Sequence, residues 1–126
     1  MVVGAHYDSA PYTPGANDNA SGTASVLELA RLLADLKGKT NKRIRLVLFV
    51  NEEPPYFWTE HMGSVHYARM LAERKERVAA MFSLETLGYY SDEAGSQQSP
   101  APFGLMFPNR GNFVSFVGLT NSRPLV

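Results

Sequence analysis

Three short apolar runs, each ending on acidic or imidazole side chains and separated by helix-length amphipathic stretches, dictate what this chain can fold into. The strongest run, residues 43–51 (RIRLVLFVN), is nearly continuous in branched apolar residues, as expected of a central strand covered on both faces. Residues 2–6 (VVGAH) read as a buried strand delivering His6 at its carboxyl end. Residues 79–84 (AAMFSL) read as a third strand, closed by Glu85 and the turn TLG. Between the first two runs, Val26, Leu29, Ala30, Leu33 and Leu36 recur at helical spacing. Ser21 or Thr23 can cap that helix, and Gly38 fits its end. Residues 52–61 (EEPPYFWTEH) hold two prolines and cannot continue a ladder. Ser64 then caps a second helix, HYARMLAERKERV, with Ala68, Leu71 and Ala72 on one face. Strand, helix, strand, helix, strand predicts right-handed parallel crossovers. The fold class is therefore α/β, with a mostly parallel central sheet carrying helices on its faces.

At 126 residues the chain supports one compact domain, residues 1–126, able to bury roughly two-thirds of its unfolded surface. Residues 91–102 read as a loop and 113–117 as a last strand or short helix. Lys plus Arg balance Asp plus Glu at twelve each, so charge predicts no nucleic-acid partner and no anionic membrane surface. The longest apolar run is too short to span a bilayer. No basic leader region or small-residue cleavage site follows Met1, so no signal peptide is read, and the compartment stays open. The absence of cysteine removes disulfides and thiolate metal sites, which leaves His, Asp and Glu as the metal donors on offer. The chain starts inside a strand signal and stops at RPLV without a terminal break, the pattern expected of a piece of something longer.

In α/β folds, ligands sit beyond the carboxyl ends of the strands. There the sequence places His6, the pair Glu52–Glu53 and Glu85, while the loop after the first strand adds Asp8 and Asp18. Each alone has an ordinary explanation: a hydrogen-bonded histidine at a strand end, a solvated acidic corner, an Asx turn at Asp18. Four segments converging on one sheet edge favour a divalent-metal site instead.

The order HYDS, then PGANDNASGTAS leading into a helix, then a strand ending EE, then Gly63-Ser64 with Tyr67-Ala68, resembles the di-zinc aminopeptidase family. Its wider clan includes glutamate carboxypeptidase, glutaminyl cyclase and the catalytically silent transferrin-receptor ectodomain. The resemblance runs from about Val2 to Gly88, and YYSDEAGSQ with FPNRGNFVSFVG is similar to one branch of the family. It implies a three-layer αβα zinc-exopeptidase domain holding two zinc ions, with a peptide N-terminus as substrate. His6 would be a terminal ligand of one zinc, Glu53 a ligand of the other, and Asp18 a bridge between ions roughly 3.5–4 Å apart. Glu85 would ligate where many members have Asp. Glu52 would stay outside the metal shell as general base, and Asp8 would orient the His6 imidazole. The resemblance also implies a cis peptide at Asp18-Asn19.

Two departures accompany the match. The family's fifth ligand is a histidine well downstream of the Glu85 position, and no histidine follows His66. His61 reads as an exposed insert residue and His66 as a first-turn helix residue. The family domain also begins well before Val2, so the chain is expected to be incomplete at both ends of the catalytic domain and weakly active or inactive by itself. Glutaminyl cyclase chemistry and a non-catalytic domain of the same fold are the competing readings. The intact set His6, Asp18, Glu52, Glu53 and Glu85 leans toward the peptidase.

Overall fold

The computed structural model describes residues 1–99, 101–120 and 122. The chain forms two compact units, Met1–Gly88 and Tyr89–Val126. The first contains β1 (Val2–His6), α1 (Ala20–Leu33) running into a 3₁₀ turn (Ala34–Leu36), β2 (Arg45–Phe49), α2 (Gly63–Glu73) and β3 (Met81–Ser83). The three strands are parallel and lie in the order β2-β1-β3. Val2 pairs with Arg45 on one side and Met81 on the other, and the β1–β2 register runs on to His6 opposite Phe49. The parallel α/β arrangement expected from the alternating pattern is present.

The middle strand is β1, not the run at 43–51. All five residues of β1 are buried, whereas β2 is half-buried along most of its length and leaves Leu48 37% exposed. A continuous apolar pattern reports covering of a strand's faces and does not fix its place in the lateral order. The absence of a side chain at Gly4 leaves room for the Phe49 ring to pack close against β1. Gly4 is required there: a Cβ would fall 2.6 Å from Phe49 Cε2 and 2.8 Å from the Val47 carbonyl oxygen. Gly4→Ala is expected to destabilise the protein by about 1–3 kcal/mol, the usual cost of overpacking, read as a lower urea midpoint.

The element boundaries shift for identifiable reasons. Helix α1 starts at Ala20 because the Asn19 side chain accepts from Gly22 N at 2.9 Å and takes the N-cap role from Ser21 and Thr23. Ser21 instead donates to the Asn17 carbonyl, and Thr23 donates to the His6 carbonyl. Helix α2 begins at Gly63, so Ser64 lies inside its first turn; Gly63 N donates to the Val50 carbonyl at 2.8 Å. The helix also ends early, at Glu73, with Lys75 at φ 54° just beyond. The third strand is only Met81–Ser83, because past Leu84 the chain turns toward α1. Tyr67 of α2 meets the Phe49 ring edge-on at 5.8 Å. No helix among the described residues is long and apolar enough to cross a membrane.

The second unit holds a 3₁₀ turn at Phe103–Leu105 and no strand among its described residues. Residues 113–117, expected as a strand or short helix, are irregular and exposed. A β-branched run needs a hydrogen-bonding neighbour, and an isolated strand is not stable in water. The Phe107 and Phe113 rings stack at 6.4 Å, and Asn112 donates to Asp92 at 2.7 Å.

Candidate metal centre

The strands of the first unit deliver acidic and imidazole groups to one edge. Beyond β2, Asn51 turns the chain at φ 60°, a left-handed conformation that Asn tolerates, and Glu52 and Glu53 follow. Beyond β3, Glu85 is followed by Thr86 at φ 47°. A β-branched residue rarely adopts this angle and holds it only where its surroundings fix it. His6, Asp18, Glu52, Glu53 and Glu85 line one cavity of about 400 Å³, together with Pro54, Phe57 and Thr86. The Asp18-Asn19 peptide is cis.

His6 is the hub and is 4% exposed. Its Nδ1 lies 3.1 Å from the Asp8 carbonyl oxygen and 3.5 Å from Asp8 Oδ1, so Nδ1 is the ring nitrogen that donates. Its Nε2 faces only carboxylate oxygens: Asp18 Oδ1 at 3.1 Å, Glu85 Oε2 at 3.2 Å and Glu52 Oε2 at 3.7 Å. A lone pair surrounded by anionic acceptors is electrostatically unfavourable. Either a proton or a cation belongs between Nε2 and these oxygens. Two overlapping sets, His6 with Glu52 and Glu53 and His6 with Asp18 and Glu85, each bring their donor atoms within 4.8 Å of one another. One imidazole with carboxylates and no sulfur suits a hard or borderline divalent ion. The residues therefore fit a metal.

Asp8 is tied into the same edge through its backbone neighbours. Its Oδ2 accepts from Glu52 N at 2.9 Å and Glu53 N at 3.1 Å. Its Oδ1 is buried without a hydrogen bond and points at the His6 ring, a place suited to orienting a ligating imidazole. His61 and His66 stay outside the cluster; the His61 ring sits 6.2 Å from that of Tyr56. Sequence reasoning saw Asn19 only as the partner in a cis peptide. Here its amide donates to Glu85 Oε2 at 3.1 Å. The signal lay in its place beside Asp18, but nothing local announced a partner so distant in sequence. Phe57 and Thr86 were likewise not singled out as lining residues.

The electrostatics follow from this crowding. Burial would lower the His6 pKa, but Glu85, Glu52, Asp18 and Asp8 outweigh it and raise the pKa above that of a free imidazole. Burial raises Glu52 and Glu85 above the usual carboxylate range, helped by neighbouring carboxylates and opposed by His6. Burial opposes ionisation of Asp8 too, but the Glu53 and Glu52 amides bring its pKa below the usual value. A raised His6 contributes stability that is present below the unfolded pKa and is lost as pH rises through the folded one. Raised Glu52 and Glu85 act in the same direction, since folding favours their protonated forms. Asp8, being lowered, matters only in more acid solution. The metal-free protein is therefore expected to melt lower at pH 8 than at pH 6. Added Zn²⁺ should reverse the order, because ligation requires deprotonated donors; thermal melts with chelator or metal check this.

The sequence model of peptidase family M28 matches residues 1–106. The chain is 45% identical over 127 residues to the uncharacterized protein YfbL of Escherichia coli (strain K12), covering 94% of this chain and 38% of that protein. It is 42% identical over 89 residues to Aminopeptidase YwaD of Bacillus subtilis (strain 168), covering 70% of this chain and 18% of the relative. A probable zinc metalloprotease of Leptosphaeria maculans is 34% identical over 104 residues, with 76% of this chain and 22% of that protein covered. The chain thus spans well under half the length of these curated relatives. No solved structure matches it. With the family model running through every segment that supplies the acidic edge, the chain belongs to peptidase family M28.

Proposed function

We propose that the chain carries the reaction centre of a zinc-dependent aminopeptidase, which removes residues from the N-terminus of peptides. The observation that carries this reading is one imidazole and four carboxylates lining a single cavity at the strand ends. The names of the B. subtilis and L. maculans relatives support the activity and the metal. In this reading His6, Asp18, Glu53 and Glu85 would hold the zinc. Bound zinc would supply electrophilic activation of water and of the scissile carbonyl. Glu52 accepts the proton of the attacking water and passes it to the leaving amine, a task set by hydrogen-bond reach. Asp8 keeps the His6 ring in register, and its bonds to the Glu52 and Glu53 amides fix where that acidic pair begins. The first unit then forms part of a three-layer αβα catalytic domain that takes in residues 1–126.

The test is hydrolysis of aminoacyl nitroanilides by the 126-residue chain loaded with Zn²⁺, alongside equilibrium zinc titration. Micromolar zinc binding, weakened by the lack of a fifth ligand, with weak, chelator-sensitive turnover is expected, because no histidine follows Glu85 in the 126-residue chain. A chain that binds no zinc at micromolar concentration would sink the reading.

A further inference from the structure

We propose that Asn19 is a positioning residue that sets where the Glu85 carboxylate stands, so that metal affinity depends on a side chain that touches no metal. This rests on the metal reading of Glu85 given above. Asn19 is 1% exposed, and every polar atom of its amide is committed. Oδ1 accepts from Gly22 N at 2.9 Å; Nδ2 donates to the Leu84 carbonyl at 2.8 Å and to Glu85 Oε2 at 3.1 Å. Only one orientation of the amide satisfies these partners, since the flipped form would set oxygen against the Leu84 carbonyl and the Glu85 carboxylate. One buried group thus joins the start of α1, the end of β3 and a carboxylate of the cluster.

Glu85 needs such an anchor. It is half-exposed and has three side-chain torsions, so its carboxylate has several places to go in solvent. The Asn19 bond selects one of them, where Oε2 stands 3.2 Å from His6 Nε2. The space around the amide is closed. A Cβ on Gly22 would come 2.4 Å from Asn19 Oδ1 and 2.5 Å from the Leu84 carbonyl oxygen, so α1 approaches β3 as near as a glycine permits. A parallel tie runs beside it without touching Glu85. Ser21 Oγ accepts from Leu87 N at 2.9 Å, and Asn17 Oδ1 accepts from Gly88 N at 2.7 Å. That second tie offers a control, because it joins the same two segments yet makes no bond to a cluster carboxylate.

The experiment is a double-mutant cycle read by Zn²⁺ dissociation constants, from competition with a chromophoric chelator, and by the visible spectrum of the Co²⁺-loaded chain. Asn19→Ser keeps a capping oxygen for Gly22 N but is too short to reach Glu85. It is expected to weaken Zn²⁺ binding about 10–100-fold, as for other supporting residues of metal sites, and to alter the Co²⁺ spectrum. In a Glu85→Ala background the same change should cost less than about threefold, since the group it acts through is gone. Ser21→Ala should lower the melting temperature while leaving the Zn²⁺ constant and Co²⁺ spectrum unchanged. Should Asn19→Ser fold poorly by circular dichroism, Asn19→Thr, also able to cap, takes its place in the cycle. An equal loss in both backgrounds, or no loss in a folded variant, overturns the proposal. If Glu85→Ala itself leaves Zn²⁺ affinity unchanged, the metal role of Glu85 fails and this inference with it. If Glu85→Ala weakens binding and Asn19→Ser does not, only the inference fails.

Discussion

Glu52→Gln is expected to lower turnover of an aminoacyl nitroanilide by about 10²–10⁴-fold, the range for removing a general acid–base group, while changing zinc affinity only a few-fold. The amide is nearly the same shape, and Glu52 N keeps its bond to Asp8 Oδ2, so the local backbone has no reason to move. What disappears, on the proposed reading, is the proton acceptor. Burial and the neighbouring carboxylates already hold Glu52 above the usual carboxylate range, which favours accepting a proton near neutral pH. Turnover measured per mole of bound zinc, with the dissociation constant determined in parallel, separates the two effects. A Gln variant that turns over at the parent rate would remove Glu52 from the chemistry. One that lost zinc instead would make it a ligand.

Asp8→Ala should damage both metal binding and stability. The change strips the oxygen accepting from the Glu52 and Glu53 amides and the carboxylate beside His6 Nδ1. Two part-buried N–H groups lose their partner at about 1–3 kcal/mol each, for a combined loss of about 2–4 kcal/mol once some water enters. Zinc affinity is expected to fall about 10–100-fold, as when the partner of a ligating histidine is removed. Asp8→Asn discriminates between the two losses. Its remaining oxygen can still accept from both amides, so stability should largely return. Its neutral side chain should leave part of the zinc defect in place. Urea unfolding and zinc titration on the same preparations decide the matter.

The three strands, their parallel sense and the two intervening helices were legible because they rest on local periodicity. Val26, Leu29 and Leu33 mark a helical face with no need of the rest of the chain. The lateral order was not legible, because RIRLVLFV carries no record of which strand stands beside it. Helix starts were misplaced for a related reason: Asn19 outcompetes Ser21 and Thr23 as a cap once Leu84 and Glu85 arrive to hold its amide. The candidate site was more legible than the boundaries. His6, Asp18, Glu52, Glu53 and Glu85 come together because strand ends in a parallel sheet share an edge, a rule of topology visible in the sequence pattern. The residues that support them make contacts across long stretches of chain, and spacing alone does not encode those. Residues 113–117 looked like a strand by composition, but a strand is defined by a neighbour.

Strand β1 precedes both of its neighbours in the chain and lies between them in the sheet. During synthesis it must therefore wait, with both hydrogen-bonding edges open, until β2 and then β3 have been made. The set of His6, Asp18 and Glu85 cannot close before Glu85 has been translated, so on the proposed metal reading that set is completed last, after the one formed by His6, Glu52 and Glu53. In the interval the VVGA run is the segment most in need of shielding from other nascent chains. On the proposed metal reading, the order of synthesis as well as geometry decides when the second donor set is complete.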